Sequence, residues 1–235
     1  MSGGARLVVV LAGLLAFLPG AADADLARLE KLRKEIAESE LQAREFRIEA
    51  SGLLGQLEGI DREILFISPC SSHTRRNWQA AGYAAVADHA ARVHRLASVI
   101  VGGPSAVERE MAAAIEAAMA TPVRNLVGET TLKQLLALFE HGRVLVTPDS
   151  GPAHMANATD IDTISLHAAT DPRRSGAYRS RHLCVDYFAQ AARHYRDAEP
   201  DALKWGTRIE DDAWVMALIP VEAVTERLDQ AMARG

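Results

Sequence analysis

The chain has 235 residues, of which 49% are hydrophobic and 5% aromatic, and it carries a formal net charge of −5. This length allows one ordinary domain with appendages, or two small domains. The acidic balance argues against a general nucleic-acid binder, because such proteins usually carry a basic excess. The two cysteines, Cys70 and Cys184, are too few and too far apart to form a disulfide framework or a zinc site.

The first 24 residues have the three-part pattern of a secretory signal peptide. One arginine precedes an apolar run from Leu7 to Leu18, and Ala22-Asp23-Ala24 forms an A-x-A cleavage site. The apolar run is shorter than the roughly 20 residues that a membrane-spanning helix needs. The sequence therefore predicts a signal peptide over 1–24 and a periplasmic protein. The alternative is an apolar N-terminus on a cytosolic protein.

Residues 25–64 have the pattern of a coiled coil. They contain no proline and many Glu, Lys, Arg and Gln residues. Apolar or small residues recur at alternating steps of three and four, at Leu29, Leu32, Ile36, Ser39, Ala43, Phe46, Ala50, Leu53, Leu57, Ile60 and Ile64. This seam of about five heptads predicts a long coiled-coil helix, and with it self-association.

From residue 65 onward, short apolar runs alternate with helical patterns. The runs predict strands over 64–68, 97–103, 125–128, 143–148 and 162–167, and the segments between them predict helices over 79–93, 105–120, 131–140 and 152–159. Residues 188–235 also have a helical composition. This alternation predicts an α/β domain over 65–235, with a Rossmann-like parallel sheet and helices on both faces.

Four polar loops follow predicted strands, at 69–78, 102–108, 128–131 and 147–154. Ligands bind such sheets where the carboxyl ends of strands meet helix N-termini. In the fourth loop, "TPDSGPAH", Asp149 and Ser150 are good N-cap residues, and Gly151 allows backbone N–H groups to approach a ligand closely. His154 lies in the first helical turn. The pattern fits an anion site at the helix N-terminus, and it fits a capped turn with a surface histidine equally well.

The other loops give weaker signals taken alone. "SSHTRRNW" (71–78) supplies hydroxyls and arginines suited to phosphate oxygens, but it also fits a solvated basic loop. "GGPSAVERE" (102–110) is glycine-rich without a full G-x-G-x-x-G motif, and it includes Glu108. "GETTLKQL" (128–135) places Thr131 at a helix start, where capping alone explains it. No His, Cys or Asp spacing indicates a metal site.

Taken together, these segments resemble the C-terminal domain of glycosyltransferase family 9, the ADP-heptose:lipopolysaccharide heptosyltransferases. The resemblance is carried in family order over about 65–232 by "ISPCSSHTRRNW", "VIVGGPSAVERE", "NLVGETTLKQLLAL", "LVTPDSGPAHMANA", "SLHAATDPRRSGAY" and "KWGTRI…ALIPVEAV". The D-[ST]-G-x-x-H-x-A element is the most specific of them. The resemblance implies the C-terminal half of a GT-B fold, which holds a nucleotide sugar without a metal or other cofactor.

The resemblance also implies roles for nine residues in binding the donor. Contact with the diphosphate-sugar is implied for Asp149, Ser150, Gly151 and His154. Hydroxyls and a cation facing the diphosphate are implied for Ser71, Ser72 and Arg76, and Glu108 and Thr131 are further donor-site candidates. The general base is expected in an N-terminal Rossmann half, in whose place stand the predicted signal peptide and coiled coil.

Two functions are therefore expected. In the first, the chain is a heptosyltransferase-type enzyme, or its donor-binding half, acting with ADP-heptose and a lipopolysaccharide core acceptor; such a role requires a cytoplasmic location at the inner-membrane face. In the second, it is an exported, non-catalytic coiled-coil protein with a relic sugar-nucleotide domain. Nucleotide sugars are cytoplasmic, so export would separate the domain from its donor.

Overall fold

The computed structural model describes residues 28–38, 40–41, 52, 55, 63–210 and 215–234. Contacts divide the chain into two compact units, 1–48 and 49–235. In the first unit, residues 28–38 and 40–41 are helical and exposed. The predicted signal peptide lies outside the described residues, as does most of the predicted coiled coil. Four residues of the predicted seam are described. Leu29, Leu32 and Ile36 stand about half exposed, at 45–56%, whereas Ile64 is buried and begins a strand, so the prediction that it belongs to the coiled coil was wrong.

The second unit contains a parallel sheet of six strands in the order β3-β2-β1-β4-β5-β6. The strands are β1 (Ile64–Ile67), β2 (Ala97–Ile100), β3 (Val123–Asn125), β4 (Val144–Pro148), β5 (Asp162–His167) and β6 (Val185–Asp186). This is the strand order of doubly wound dinucleotide-binding sheets, and it reverses direction between β1 and β4. The predicted Rossmann-like sheet is confirmed.

Helices connect the strands. They are α1 (Ala80–Val93), α2 (Ala106–Ala118), α3 (Leu132–Phe139), α4 (Gly151–Ala156), α5 (Pro172–Ser175), α6 (Phe188–Arg196) and α7 (Val221–Met232). Short 3-10 turns occur at Thr74–Arg76, Tyr178–Leu183, Pro200–Ala202 and Val215–Leu218. Within the part of the chain that the structure describes, every helix is too short or too polar to span a bilayer.

Alternate side chains of the central strands build two separate cores. Along β1, Leu65 and Ile67 belong to a core with α1 and α7, whereas Phe66 belongs to a second core with α3. Phe66 and Phe139 meet edge to face there, with ring centroids 5.6 Å apart. Because successive residues of a strand point to opposite faces, this division places helices on both sides of the sheet.

Two element predictions were wrong in detail. The third strand was expected over 125–128 but ends at Asn125, whose side-chain Oδ1 accepts a hydrogen bond from the Val127 N–H at 3.0 Å. Gly128 then takes a φ of +80°, which suits a turn and not a strand. The tail was expected to be helical over 188–235, yet α6 ends where Asp197 adopts a left-handed conformation with φ of 48°.

Candidate functional site

A cavity of about 460 Å³ lies at the carboxyl edge of the sheet, beside the switch point between β1 and β4. All four predicted loops contribute to its wall. Six of the nine predicted donor-binding residues line it: Ser71, Ser72, Glu108, Thr131, Ser150 and Gly151. The sheet topology brings these loops together, because parallel strands end at the same edge.

The loop after β1 presents hydroxyl groups to the cavity. The backbone N–H of Ser71 donates to Oδ1 of Asn77 at 2.8 Å, which holds the loop back on itself. The Ser71 hydroxyl accepts only a long hydrogen bond, 3.5 Å, from the N–H of His73. Ser72 and Thr74 are exposed, and both line the cavity. This side of the cavity therefore offers hydroxyl donors to an anion.

Glu108 organises the glycine loop after β2. One of its carboxylate oxygens accepts a hydrogen bond from the N–H of Gly103 and the other accepts one from the hydroxyl of Ser105, both at 2.8 Å. A side chain at Gly103 would place its Cβ 2.9 Å from Glu108 Oε2, so glycine is what permits this close approach. The Ser105 hydroxyl also accepts from the N–H of Glu108 and caps α2. Glu108 thus shapes the cavity wall as well as facing it.

Thr131 forms a complete capping box at the start of α3. Its hydroxyl accepts from the N–H of Gln134 at 3.3 Å, and its own N–H donates to Oε1 of Gln134 at 2.8 Å. Two exposed apolar side chains stand beside it on the cavity wall, Leu132 at 72% exposure and Val107 at 44%. The cavity therefore has an apolar wall at α2 and α3, opposite the hydroxyls of the β1 loop.

The loop after β4 gives the cavity its helix N-terminus. Ser150 stands at the N-cap position of α4, but its side chain makes no capping hydrogen bond. Instead, its hydroxyl is paired with that of Thr147 at 2.8 Å. A Cβ added at Gly151 would meet no atom within 4 Å. The sequence expectation of a side-chain cap by Ser150 was wrong, and the first turn of the helix faces open space at Gly151.

The remaining three predicted residues, Arg76, Asp149 and His154, form an ionic cluster instead of lining the cavity. Arg76 is buried at 8% exposure, and its Nη1 lies 3.7 Å from Oδ2 of Asp149. His154 is exposed, with its Nε2 3.9 Å from Oδ1 of Asp149. The alternative of a solvated basic loop is therefore wrong for Arg76, because it is buried beside Asp149 and beside a second acidic side chain.

The second of these acids, Glu210, was not identified from the sequence. Nε of Arg76 donates to Oε1 of Glu210 at 2.5 Å. Glu210 reaches this position because the tail pairs with the loop after β5, through a Thr170–Arg208 bridge and a hydrogen bond from the Ile209 N–H to the Ala169 carbonyl. Nη2 of Arg76 is buried and has no hydrogen-bond partner among the described residues. Arg76 therefore keeps one of its donors unused.

Asp149 also accepts a hydrogen bond from the hydroxyl of Ser175 at 2.9 Å. Behind it lies His167, which is fully buried at the end of β5. Burial lowers the pKa of His167, and the charges of Asp149 and Asp186 only partly oppose this effect. His167 is thus held neutral beneath the ionic cluster at neutral pH.

Cys70 lines the cavity but is not a nucleophile. Burial, and then the nearby charge of Glu108, raise the pKa of its thiol to about 12. The thiolate is the reactive form of cysteine, and at neutral pH it is almost absent here. The cavity therefore has the character of a binding site, with hydroxyls, backbone N–H groups and an apolar wall.

The fold and the site define the chain as a doubly wound α/β domain with a polar cavity at its switch point. Residues 16–203 match the sequence profile of glycosyltransferase family 9 (heptosyltransferase), and the chain belongs to this family. The match begins within the predicted signal peptide and runs through the predicted coiled coil. It ends before Glu210 and α7.

Among curated proteins, the chain is 32% identical over 169 residues to the lipopolysaccharide core heptosyltransferase OpsX of Haemophilus influenzae, covering 72% of this chain and 48% of that protein. It is 32% identical over 116 residues to lipopolysaccharide heptosyltransferase 3 of Escherichia coli, covering 48% of this chain and 33% of that protein. The chain therefore spans half or less of the length of these relatives.

Solved structures show the same fold. The family 9 glycosyl transferase from Veillonella parvula superposes with a TM-score of 0.64 at 19% identity, covering 81% of this chain and 52% of that one. The E. coli ADP-heptose lps heptosyltransferase II superposes with a TM-score of 0.58 at 21% identity, covering 79% and 51%. In each case about half of the solved chain is matched, which agrees with one half of a GT-B fold.

Proposed function

We propose that this domain binds ADP-heptose, or a similar nucleotide sugar, for transfer to a lipopolysaccharide core acceptor. The observation that carries the proposal is the meeting of six predicted donor-binding residues around one cavity at the switch point. The family membership and the names of the relatives support the same chemistry.

The cavity suggests a place for each part of the donor. The diphosphate is bound by the first-turn N–H groups of α4 and by the hydroxyls of Ser71 and Ser72, with Arg76 behind them. The nucleoside lies against the apolar wall of Val107 and Leu132, near Glu108. The sugar extends toward Asp149 and His154, which leaves its reacting carbon at the mouth of the cavity.

The proposed reaction does not require any residue of this domain to become a nucleophile. As the bond between sugar and diphosphate breaks, negative charge develops on the departing ADP. Preorganised N–H groups and a guanidinium stabilise such charge most strongly where water is excluded. The general base that activates the acceptor hydroxyl is proposed to come from an N-terminal half, as the family resemblance implies, so Asp149 and His154 are assigned to binding.

Thermal melting of the full chain in increasing ADP and ADP-heptose tests the donor site. We expect both ligands to raise the melting temperature, because a ligand that binds only the folded state stabilises it by mass action. An unchanged melting temperature in saturating ADP-heptose would contradict donor binding.

Release of ADP from ADP-heptose in the presence of a lipopolysaccharide core acceptor tests the transfer step separately. Acceptor-dependent ADP release supports an enzyme. Donor binding without release would favour the alternative of a non-catalytic sugar-nucleotide domain for the chain on its own.

A further inference from the structure

Three potential metal ligands converge on the opposite edge of the sheet from the cavity. Nε2 of His89 and Nε2 of His94 lie 2.7 and 2.6 Å, respectively, from the same oxygen, Oδ1 of Asp229. All three ligand atoms lie within 4.8 Å of one another. Among the described residues, this is the one group of three such side chains that could hold a metal ion.

The positions of the three residues follow from the fold. His89 lies in the last half of α1, His94 is the C-cap residue of that helix, and Asp229 lies in α7. Asp229 is 140 residues from His89 and 135 from His94. No ligand spacing in the sequence could therefore have revealed the group.

The electrostatics of this group favour a divalent cation. As ligands, two imidazole rings and one carboxylate bring a single formal negative charge, and the C-terminal end of a helix adds partial negative charge. Oδ1 of Asp229 is the atom that both histidine nitrogens approach, so the three potential ligand atoms face one point.

We infer that His89, His94 and Asp229 form a zinc-binding site that fastens α7 to the end of α1. Imidazole nitrogen and carboxylate oxygen are common zinc ligands, and zinc with three protein ligands takes water as the fourth. The metal replaces the two hydrogen bonds now made to Oδ1, so each histidine carries its remaining proton on Nδ1.

The site is structural, because it is remote from the donor cavity. His94 lies just before β2 begins at Ala97, at the amino edge of the sheet, whereas the cavity lies beyond the carboxyl ends of the strands. The side chains of His89, His94 and Asp229 are 26%, 17% and 49% exposed, which leaves the site open to an entering ion and to water.

Calorimetric titration of the metal-free full chain with Zn²⁺ tests this site, with His94→Gln and Asp229→Asn as ligand variants and His141→Gln as the matched control. His141 is exposed and lies at the same edge of the sheet, between α3 and β4. We expect one Zn²⁺ per chain in the wild type and the control. Each ligand variant should bind at least about tenfold more weakly, since even outer-shell partners of metal ligands affect affinity by that factor.

Titration with Co²⁺ gives a second measurement, and its first readout is on the wild-type protein itself. Zinc sites of this kind accept Co²⁺, and an intense visible absorption would show four-coordinate binding by the wild type. The absorption should be lost in Asp229→Asn and retained in His141→Gln. A chain that binds no Zn²⁺, or that binds it equally well in both ligand variants, would overturn the proposal.

Discussion

Nε of Arg76 donates a 2.5 Å hydrogen bond to Oε1 of Glu210, a residue 134 positions further along the chain. Asp149 lies on the other side of the same guanidinium, at 3.7 Å. The cation that the family resemblance assigns to the diphosphate is therefore held between two carboxylates. Binding of an anion next to them requires that its attraction to Arg76 exceed its repulsion from these acids.

Replacing Glu210 with glutamine is expected to strengthen ADP binding. Glutamine keeps an oxygen that can accept from Nε of Arg76, so the guanidinium stays in place while one negative charge near the diphosphate is removed. Repulsion between the Glu210 charge and a diphosphate several Å away, in a partly solvated site, amounts to about 1 kcal/mol. Its removal should therefore lower the Kd for ADP roughly fivefold. Calorimetric titration with ADP measures this change in affinity, with Glu140→Gln as the control. Glu140 is an exposed acid at the far edge of the sheet. Weaker binding in Glu210→Gln would mean that its charge helps the site.

Replacing Arg76 with methionine is expected to lower the free energy of unfolding. The substitution leaves Asp149 and Glu210 close together without their cation, and losing a charged hydrogen bond costs about 1.5–3 kcal/mol. Urea unfolding measures the loss. The double variant Arg76→Met/Glu210→Gln should be more stable than Arg76→Met alone, because one of the unpaired acids is gone. Additive effects of the two substitutions would contradict the coupling.

Replacing Thr131 with alanine separates its capping role from a role in binding. Loss of the N-cap hydroxyl should lower the free energy of unfolding by about 1 kcal/mol, whereas Thr131→Ser keeps the hydroxyl and should be close to the wild type. If the Thr131 hydroxyl also donates a hydrogen bond to the bound nucleotide, Thr131→Ala will bind ADP more weakly as well, and Thr131→Ser will retain binding. A stable alanine variant would show that the capping box contributes little.

The stability that Asp88 provides should depend on pH in a defined direction. Burial raises the pKa of Asp88, but hydrogen bonds from the side chain of Thr121 and from the N–H groups of Ala120 and Thr121 outweigh it and hold the pKa below that of an ordinary aspartate. A carboxyl whose folded pKa is depressed stabilises the protein above its unfolded pKa and loses this effect as the pH falls through the folded value.

Asp88→Asn should therefore be less stable than the wild type at pH 7, by about 1–2 kcal/mol. The difference should shrink as the pH falls through the depressed folded pKa of Asp88, where the wild-type carboxyl becomes protonated. Urea unfolding of the two proteins at pH 7 and at the lowest pH where both remain folded checks this. A difference that stays constant across the range would show that the ionised form of Asp88 is not what stabilises the fold.

Much of the candidate site could be predicted from the sequence because its loops follow apolar strands directly. In a parallel sheet the ends of those strands meet at one edge, so strand positions alone predict that Ser71, Glu108, Thr131 and Ser150 lie near each other. The side-chain partners could not be predicted in this way. Ser150 was expected to cap its helix, and it pairs with Thr147 instead, since the two hydroxyls share the same short turn.

Contacts between residues that are distant in the sequence could not be predicted either. Glu210 lies in an irregular segment after α6, where a helix was expected, and only the pairing of that segment with the loop after β5 brings it to Arg76. The convergence of His89 and Asp229 likewise depends on how α7 packs against α1. Such contacts are set by tertiary packing, which local patterns of residue type do not encode.

The variant Gly151→Leu tests most directly whether the cavity at the switch point holds the diphosphate of the donor. A Cβ at Gly151 meets no atom within 4 Å, so the folded domain should tolerate leucine, while the added side chain occupies space in the cavity. The measurement is calorimetric titration of the full chain with ADP, with His141→Leu as a control that places a leucine at the opposite edge of the sheet. We expect ADP to bind the wild type and the control with similar affinity and to show no binding to Gly151→Leu. Unchanged ADP affinity in a folded Gly151→Leu variant would contradict it.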